Sequence, residues 1–534
     1  MTLRRGLLAG LAGIVGLAGF ALLARQPDGE SRAAPVPPAA TGIAEQGAAA
    51  FAGHGFGGIS QTALETNAVP FKLVAAALVL DERQSDAAAP ADIATLRRVL
   101  ARFGFLYPAT IRGLPPGTRL NLTEKPLGMT HGFIAPVGGA RVEVANLGCA
   151  ACHAGVAYAA DGTPQPDRAV LGMANTSLDL EGYTQAIFVA LRRHAGDPVL
   201  LDMADTLFPD MGWQERASLR WIVLPLAKSR LAGLAGSPRA LPFPNGLPGA
   251  TNGVAALKLQ TGTPLLGGGA ADRGFVSIPD LGFRHRRSRL LADGAYAAPS
   301  GRADRRELAA ITSFFTVPSM GVKPEEAQRH IPQARAIFAW LADYRPQAFP
   351  GPRDMAAAAR GAAIYERGCA ACHGSFAWNG GVPRLASFPD WVGNVGTDPL
   401  RAQALDEALA GAIRTSAYRA AISVGRGEGY AAPPLAGLWA SAPYLHNGSV
   451  PSLAALLDPA LRPARFMVGG HALDWETVGI RLTAEGRYPA GYVPFALPQW
   501  VDTRAPGLGN RGHSYGSALS PAERAALIAF LKLL

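Results

Sequence analysis

Two identical pentapeptides hold every cysteine of the chain: Cys149-Ala150-Ala151-Cys152-His153 and Cys369-Ala370-Ala371-Cys372-His373. A Cys-x-x-Cys-His run has the spacing for covalent attachment of a c-type haem. Each thiol would add to one vinyl group as a thioether, and the adjoining imidazole would bind the iron. Two intervening residues let both sulfurs reach one face of the porphyrin while the histidine swings beneath it. Other chemistries use only part of the pattern. A Cys₄ zinc site would take four thiolates and leave both histidines without a role. A thioredoxin-like redox pair needs a βαβ setting and no histidine, and neither motif has that setting. The arrangement predicts two haem c groups, one on Cys149 and Cys152, the other on Cys369 and Cys372. His153 and His373 are the expected proximal ligands.

The sixth position on each iron would decide function. A second strong protein ligand makes an electron-transfer haem, whereas an open position admits oxygen or peroxide. Ligand choice can move haem potential over ~0.8 V.

The elements that must position these residues differ between the two motifs. Arg141–Leu147 reads as extended chain entering the first motif after a Pro- and Gly-dense stretch. Asp354–Arg367 is alanine-rich and helical, and it runs straight into Cys369. Ser520, Pro521 and Glu523 form a helix start with a capping box, followed by the apolar stripe Leu527, Ile528, Phe530 and Leu531. Ala91–Phe103, Leu178–His194 and Glu326–Tyr344 are further helix candidates. Residues 232–270 carry many Gly and Pro and read as irregular loops.

The chain has 534 residues, 49% apolar and 17% charged. That is too long for one core. The net charge of +10 is mostly arginine, densest at Arg284-His285-Arg286-Arg287-Ser288-Arg289. No basic and aromatic interleaving on a recognised module accompanies it, so nucleic acid is not an expected partner. The cluster reads as a solvated loop, a contact for an acidic redox partner, or a seat for haem propionates. Arg4 and Arg5 precede an uncharged run from Gly6 to Ala24, close to the ~20 residues that span a bilayer. Residues 1–30 are thus expected to be an export signal or a retained membrane anchor, and residues 31–41 a linker. Either form sends the body to the periplasm. The expected domains are 42–346 around the first haem and 355–534 around the second, with the boundary near 346–354.

Longer motifs carry a resemblance. They are Val395-Gly396-Thr397-Asp398-Pro399-Leu400-Arg401-Ala402, Gly429-Tyr430, Pro434-Leu435-Ala436-Gly437-Leu438-Trp439, and Ala442-Pro443-Tyr444-Leu445-His446-Asn447-Gly448-Ser449-Val450-Pro451. Arg462-Pro463 and Gly509-Asn510-Arg511-Gly512-His513-Ser514-Tyr515-Gly516 follow. With these the chain resembles the bacterial di-haem c-type cytochromes of the cytochrome c peroxidase superfamily, in the branch of the rubber oxygenases. The likeness covers roughly 360–534 and is weaker over 40–345, where Pro279-Asp280-Leu281-Gly282 stands where that branch commonly has a tryptophan.

The resemblance implies a mainly α fold: two cytochrome c-like haem domains with long irregular loops and little β. It implies His513 as distal ligand of the second haem, with His446 the runner-up and His471 and Met467 weaker choices. For the first haem it implies an open or exchangeable position, which His131 could line or block. Met129 and Met173 are alternative thioether ligands, and His194 reads as a solvated or capping residue. Glu143 and Glu181 are candidates for a peroxide-cleaving base. Trp378 and Trp391 are candidates to relay electrons, and Leu224, Pro225, Leu226 and Phe243 could wall an apolar channel. The expected function is an exported oxidoreductase. Its second haem would relay electrons from a periplasmic redox partner or small donor, and its first would bind peroxide or dioxygen. Two alternatives remain open: a membrane-tethered electron carrier with both haems six-coordinate, and a sensor that binds a small gas without turnover.

Overall fold

The computed structural model describes residues 24–25, 42–53, 69–136, 141–297, 331–420, 423–425, 427 and 429–534. The expected export segment and linker lie outside them, apart from Ala24–Arg25, which pairs antiparallel with Ala135 and Pro136. Among the described residues no helix is long and apolar enough to cross a membrane.

Six helices frame the site: α1 (Ile43–Gly53), α2 (Phe71–Ser85), α3 (Leu180–His194), α4 (Ile331–Asp343), α5 (Met355–Gly368) and α6 (Pro521–Leu531). Local signals start several of them. Asp179 caps α3 by accepting from Gly182 N–H, and Asp354 caps α5 by accepting from Ala357 N–H. Ser520 and Glu523 close a capping box on α6, as their spacing predicts. Two helix crossings then close the chain on itself. At Gly361, a Cβ would stand 2.0 Å from the carbonyl oxygen of Ala526, so α5 and α6 meet backbone to backbone. One turn on, Tyr365 packs on Phe530 at 5.3 Å between ring centres. α1 and α4 repeat the arrangement. A Cβ on Gly47 would lie 2.0 Å from the Ala336 carbonyl oxygen, and Phe51 packs on Trp340 at 4.7 Å.

Strands deliver the first motif. β1 (Met129–Pro136) and β2 (Val142–Leu147) pair antiparallel, with Met129 opposite Leu147 and His131 opposite Ala145. β3 (Ala154–Tyr158) and β4 (Pro164–Leu171) form a hairpin with a register shift at Val156/Ala157. The first pentapeptide is the turn between β2 and β3. β2 and β3 are almost wholly buried; β3 is apolar but for its final tyrosine hydroxyl, whereas β2 takes in Asn146 and Glu143, the latter paired with Lys125.

The fold class differs from the expected one. The described residues are 39% helix and 15% strand, a mixed α/β fold with several small sheets rather than a mainly α pair of cytochrome domains. Stretches that read as loops fold instead as short two- and three-stranded sheets, several of them between segments far apart in the chain, as Val392–Gly393 with Tyr430–Ala431 and Arg465–Val468 with Gln499–Asp502. The halves also interlock. Tyr296–Ala297 pairs with Ser423–Val424, Ser177 Oγ accepts from Gly470 N–H at 2.9 Å, and Trp475 donates to the Ala160 carbonyl at 2.8 Å. Residues 232–270 are not all irregular either. Asn252 caps a helix over Gly253–Thr261, and Gly262 ends it in the left-handed conformation.

Candidate functional site

Each pentapeptide forms one helical turn held from both sides by backbone bonds. In the first, His153 N–H donates to the Cys149 carbonyl at 2.9 Å, and Asn175 donates through its amide side chain to Ala151 O and through its backbone to Cys152 O. Gly128 makes this possible. It has φ +81°, and a Cβ there would stand 1.9 Å from Ala151 N. In the second, α5 carries Cys369 directly, His373 N–H donates to Cys369 O at 3.0 Å, and the Tyr365 hydroxyl donates to Gly374 O at 2.9 Å.

Both histidines are oriented in one way. His153 Nδ1 lies 3.0 Å from the Pro279 carbonyl oxygen, and His373 Nδ1 lies 2.8 Å from that of Pro433. A carbonyl can only accept, so Nδ1 carries the proton and Nε2 keeps its lone pair. That is the tautomer a metal-ligating imidazole needs, with its outer nitrogen fixed by a carbonyl. Burial pushes His153 down to about 4 and lowers His373 as well, which keeps both rings neutral. Burial also pushes the Cys149 and Cys152 thiols up to about 12 and Cys369 up to about 11. Among the described residues no three His, Cys, Asp or Glu side chains gather as a metal-ion site.

One continuous cavity of about 650 Å³ reaches all four cysteines and both histidines. Its wall is mostly apolar, including Phe51, Ile187, Phe243, Leu341 and Leu457. The structure brings His513 into this cavity opposite His373, with ring centres 6.2 Å apart. Two imidazoles on opposite sides of one metal stand ~6 Å apart, from two metal–nitrogen bonds of ~2 Å and ~1 Å from each nitrogen to its ring centre. The residues therefore fit an iron held between them. His513 sits at φ +46°, a left-handed conformation that a histidine adopts under constraint. The constraint is visible. Arg462 donates to the carbonyls of Asn510, Gly512 and His513, while His513 N–H donates to Val395 O at 2.8 Å. His513 Nδ1 is buried without a partner among the described residues, so hydrogen bonding from that nitrogen does not account for the ring's position.

Around His153 the arrangement differs. Among the side chains described, which do not include that of His131, no imidazole is paired with His153 as His513 is with His373, and Met129 is the sulfur side chain in the cavity wall beside the cysteines. His131 is placed on β1 opposite Ala145. Met173 is buried against Gly155, away from the cavity. His194 is buried rather than solvated, with Asp81 at 3.9 Å and Asp197 at 3.8 Å. Neither proposed acid lines the cavity: Glu143 is paired with Lys125 at 2.6 Å, and Glu181 faces Arg239 and accepts from Asn245 N–H. His446 does line the cavity, stacked on Tyr430 at 3.9 Å. His471 and Met467 lie outside the wall, as do Leu224, Pro225 and Leu226, whereas Phe243 is part of it. Trp391 is in the wall as well. Trp378 packs on Phe530 instead and donates to Gly381 O.

Sequence reasoning missed the carbonyls of Pro279 and Pro433, since every residue offers a carbonyl and nothing in the side chain marks this use. It also missed Asp280, a cavity residue whose carboxyl burial pushes up to about 7 against hydrogen bonds from Gly282 N–H and the Tyr344 hydroxyl.

Comparison with known proteins bears on the C-terminal part. Residues 429–467 match the family described as RoxA-like, cytochrome c-like. The match implies covalently bound haem c. It relates the chain to the rubber-oxygenase-like cytochromes c and points to a haem oxidoreductase. Two proteins of Sinorhizobium fredii (strain NBRC 101917 / NGR234) are also similar. The uncharacterized protein y4iJ is 33% identical over 264 residues, covering 36% of this chain and 41% of that protein. The uncharacterized protein y4iM is 35% identical over 162 residues, covering 25% of this chain and 35% of that protein. The chain thus spans less than half the length of either relative.

Proposed function

We propose that this protein is an exported, periplasmic di-haem c-type oxidoreductase whose two haems divide the work. The first, on Cys149, Cys152 and His153 within residues 42–346, takes peroxide or dioxygen. The second, on Cys369, Cys372 and His373 within residues 355–534, stores and relays electrons from a redox partner or small donor. One observation carries this reading: the imidazole of His513 faces His373 at ligand spacing. An iron capped on both sides passes electrons, and one with a free side binds a small molecule and supplies the redox chemistry.

The protein's own residues set the conditions. Pro279 and Pro433 hold each proximal ring in the tautomer that presents Nε2. The Arg462 clasp holds His513 across from His373. The apolar wall excludes water and suits an apolar substrate reaching the first site, and Asp280 holds a proton near neutral pH at the cavity edge.

The test is the visible spectrum of the reduced, purified chain with and without carbon monoxide. The proposal expects about half of the haem to shift its Soret band, and His513→Ala to make the second half shift too. A spectrum that carbon monoxide leaves unchanged would establish the electron carrier with both irons capped, a role Met129 is placed to serve. Absence of a haem c band would overturn both.

A further inference from the structure

The wall between the two attachment turns holds guanidinium groups that the described carboxylates do not pair. Arg284 and Arg287 sit on and just beyond a short 3₁₀ turn, and both line the cavity. Hydrogen bonds place this run at the seam of the two sites. Ser288 donates through its N–H to Asp390 at 2.7 Å, next to Trp391, and Ala431 N–H donates to Ala292 O at 2.7 Å. On the other side, Arg284 is near enough to His153 to act on its charge.

A third cavity arginine shows what full pairing looks like here: Arg401 donates to Asp293 at 2.7 Å, with both side chains buried. Arg287 is equally buried, yet it spends one Nη on the Leu291 carbonyl at 2.9 Å and leaves Nε with no partner. Neither Arg284 nor Arg287 has a carboxylate within 4.0 Å among the described residues. Asp390 acts on the charge of both and Asp293 on that of Arg287, but Asp390 accepts from Ser288, Asp293 is paired with Arg401, and neither lines the cavity. Desolvation lowers both guanidinium pKa values, that of Arg284 far below its ordinary range. A buried guanidinium left with an unsatisfied Nε, as in Arg287, is expensive unless an anion joins it.

We propose that Arg284 and Arg287 are the binding site for haem propionate carboxylates at the seam between the two haems. The assignment rests on the di-haem reading. The planar guanidinium fork matches a carboxylate in shape as well as charge, and the groups open onto the space that the attached haems share. Two fixed cations beside a haem favour its reduced, less positive state, so this pair holds the potential up.

The test uses the full haem-loaded chain. Reductive titration of Arg284→Gln, Arg287→Gln and the double variant would be followed in the α band, with exposed Arg289→Gln as control. The double variant is expected to raise the ferric-to-ferrous ratio of at least one haem tenfold at a fixed potential, a shift of about 59 mV for one electron. Haem content should hold, since the thioethers keep the group attached. The paired Arg→Lys variants should recover most of the loss, and they serve if the glutamine variants fold poorly. Resonance Raman of the unaltered protein gives an independent reading, with propionate bending bands expected where hydrogen-bonded carboxylates fall. Two attached haems with unchanged potentials, or propionate bands of free carboxylates, would overturn the assignment. A purified chain without haem c would fail the di-haem reading instead, and the two failures are told apart by the spectrum.

Discussion

Gly361 and Ala526 touch backbone to backbone: a methyl group on Gly361 would meet the Ala526 carbonyl oxygen at 2.0 Å. Helix propensity alone would favour alanine over glycine here by ~1 kcal/mol. The packing reverses the sign. Gly361→Ala is expected to destabilise the protein by about 1–3 kcal/mol through overpacking, read as a lower Tm by circular dichroism. Gly368, at the end of the same helix, has no neighbour within 4 Å of the point where a Cβ would stand. Gly368→Ala should leave Tm unchanged or raise it, and equal losses at both sites would refute close packing as the cause.

Arg401 and Asp293 form an ion pair with both side chains almost wholly out of water. Removing one partner strands the other charge. Asp293→Asn should cost about 3–5 kcal/mol in urea unfolding, whereas replacing both by apolar residues of similar volume should cost much less. If the double variant were the worse of the two, the pair would be contributing more than mutual neutralisation.

Asp280 has its folded pKa raised to about 7, against ~3.9 in an unfolded chain. Between these values the folded state holds a proton that the unfolded state has lost. Its stabilising contribution is therefore complete below ~3.9 and fades as pH rises through 7, by at most ~1.4 kcal/mol per pH unit. Urea midpoints of the holoprotein at pH 5, 6, 7 and 8, compared with Asp280→Asn, should show the unaltered chain losing ground to the variant as pH rises. Parallel curves would mean that Asp280 does not titrate there.

Ser520 closes the capping box of α6, accepting from Glu523 N–H at 3.3 Å, while the Glu523 carboxylate accepts from Ser520 N–H at 2.8 Å. Ser520→Ala should cost about 1 kcal/mol. Because α6 packs on α5, which carries Cys369, the loss should appear in global thermal unfolding and not as local fraying alone.

Much of this protein is legible along the chain because its signals are local. The two pentapeptides, the Asp354 and Ser520 caps and the helix into Cys369 depend on contacts a few residues long. Backbone propensity and side-chain spacing determine those without reference to the rest of the fold. The sequence likewise placed His513 in a motif, and it marked the arginine run at 284–289 as a solvated loop, a contact for an acidic redox partner or a seat for haem propionates. The tertiary structure decided the rest. The carbonyls that orient His153 and His373 lie 126 and 60 residues away, and His513 becomes a ligand candidate because packing sets its ring 6.2 Å from His373. The small sheets escaped a reading by helical period because two- and three-residue strands are stabilised by partners far along the chain and carry no period of their own. Whether a histidine is solvated, as His194 reads in isolation, or sealed beside Asp81 and Asp197 is likewise a matter of what packs over it.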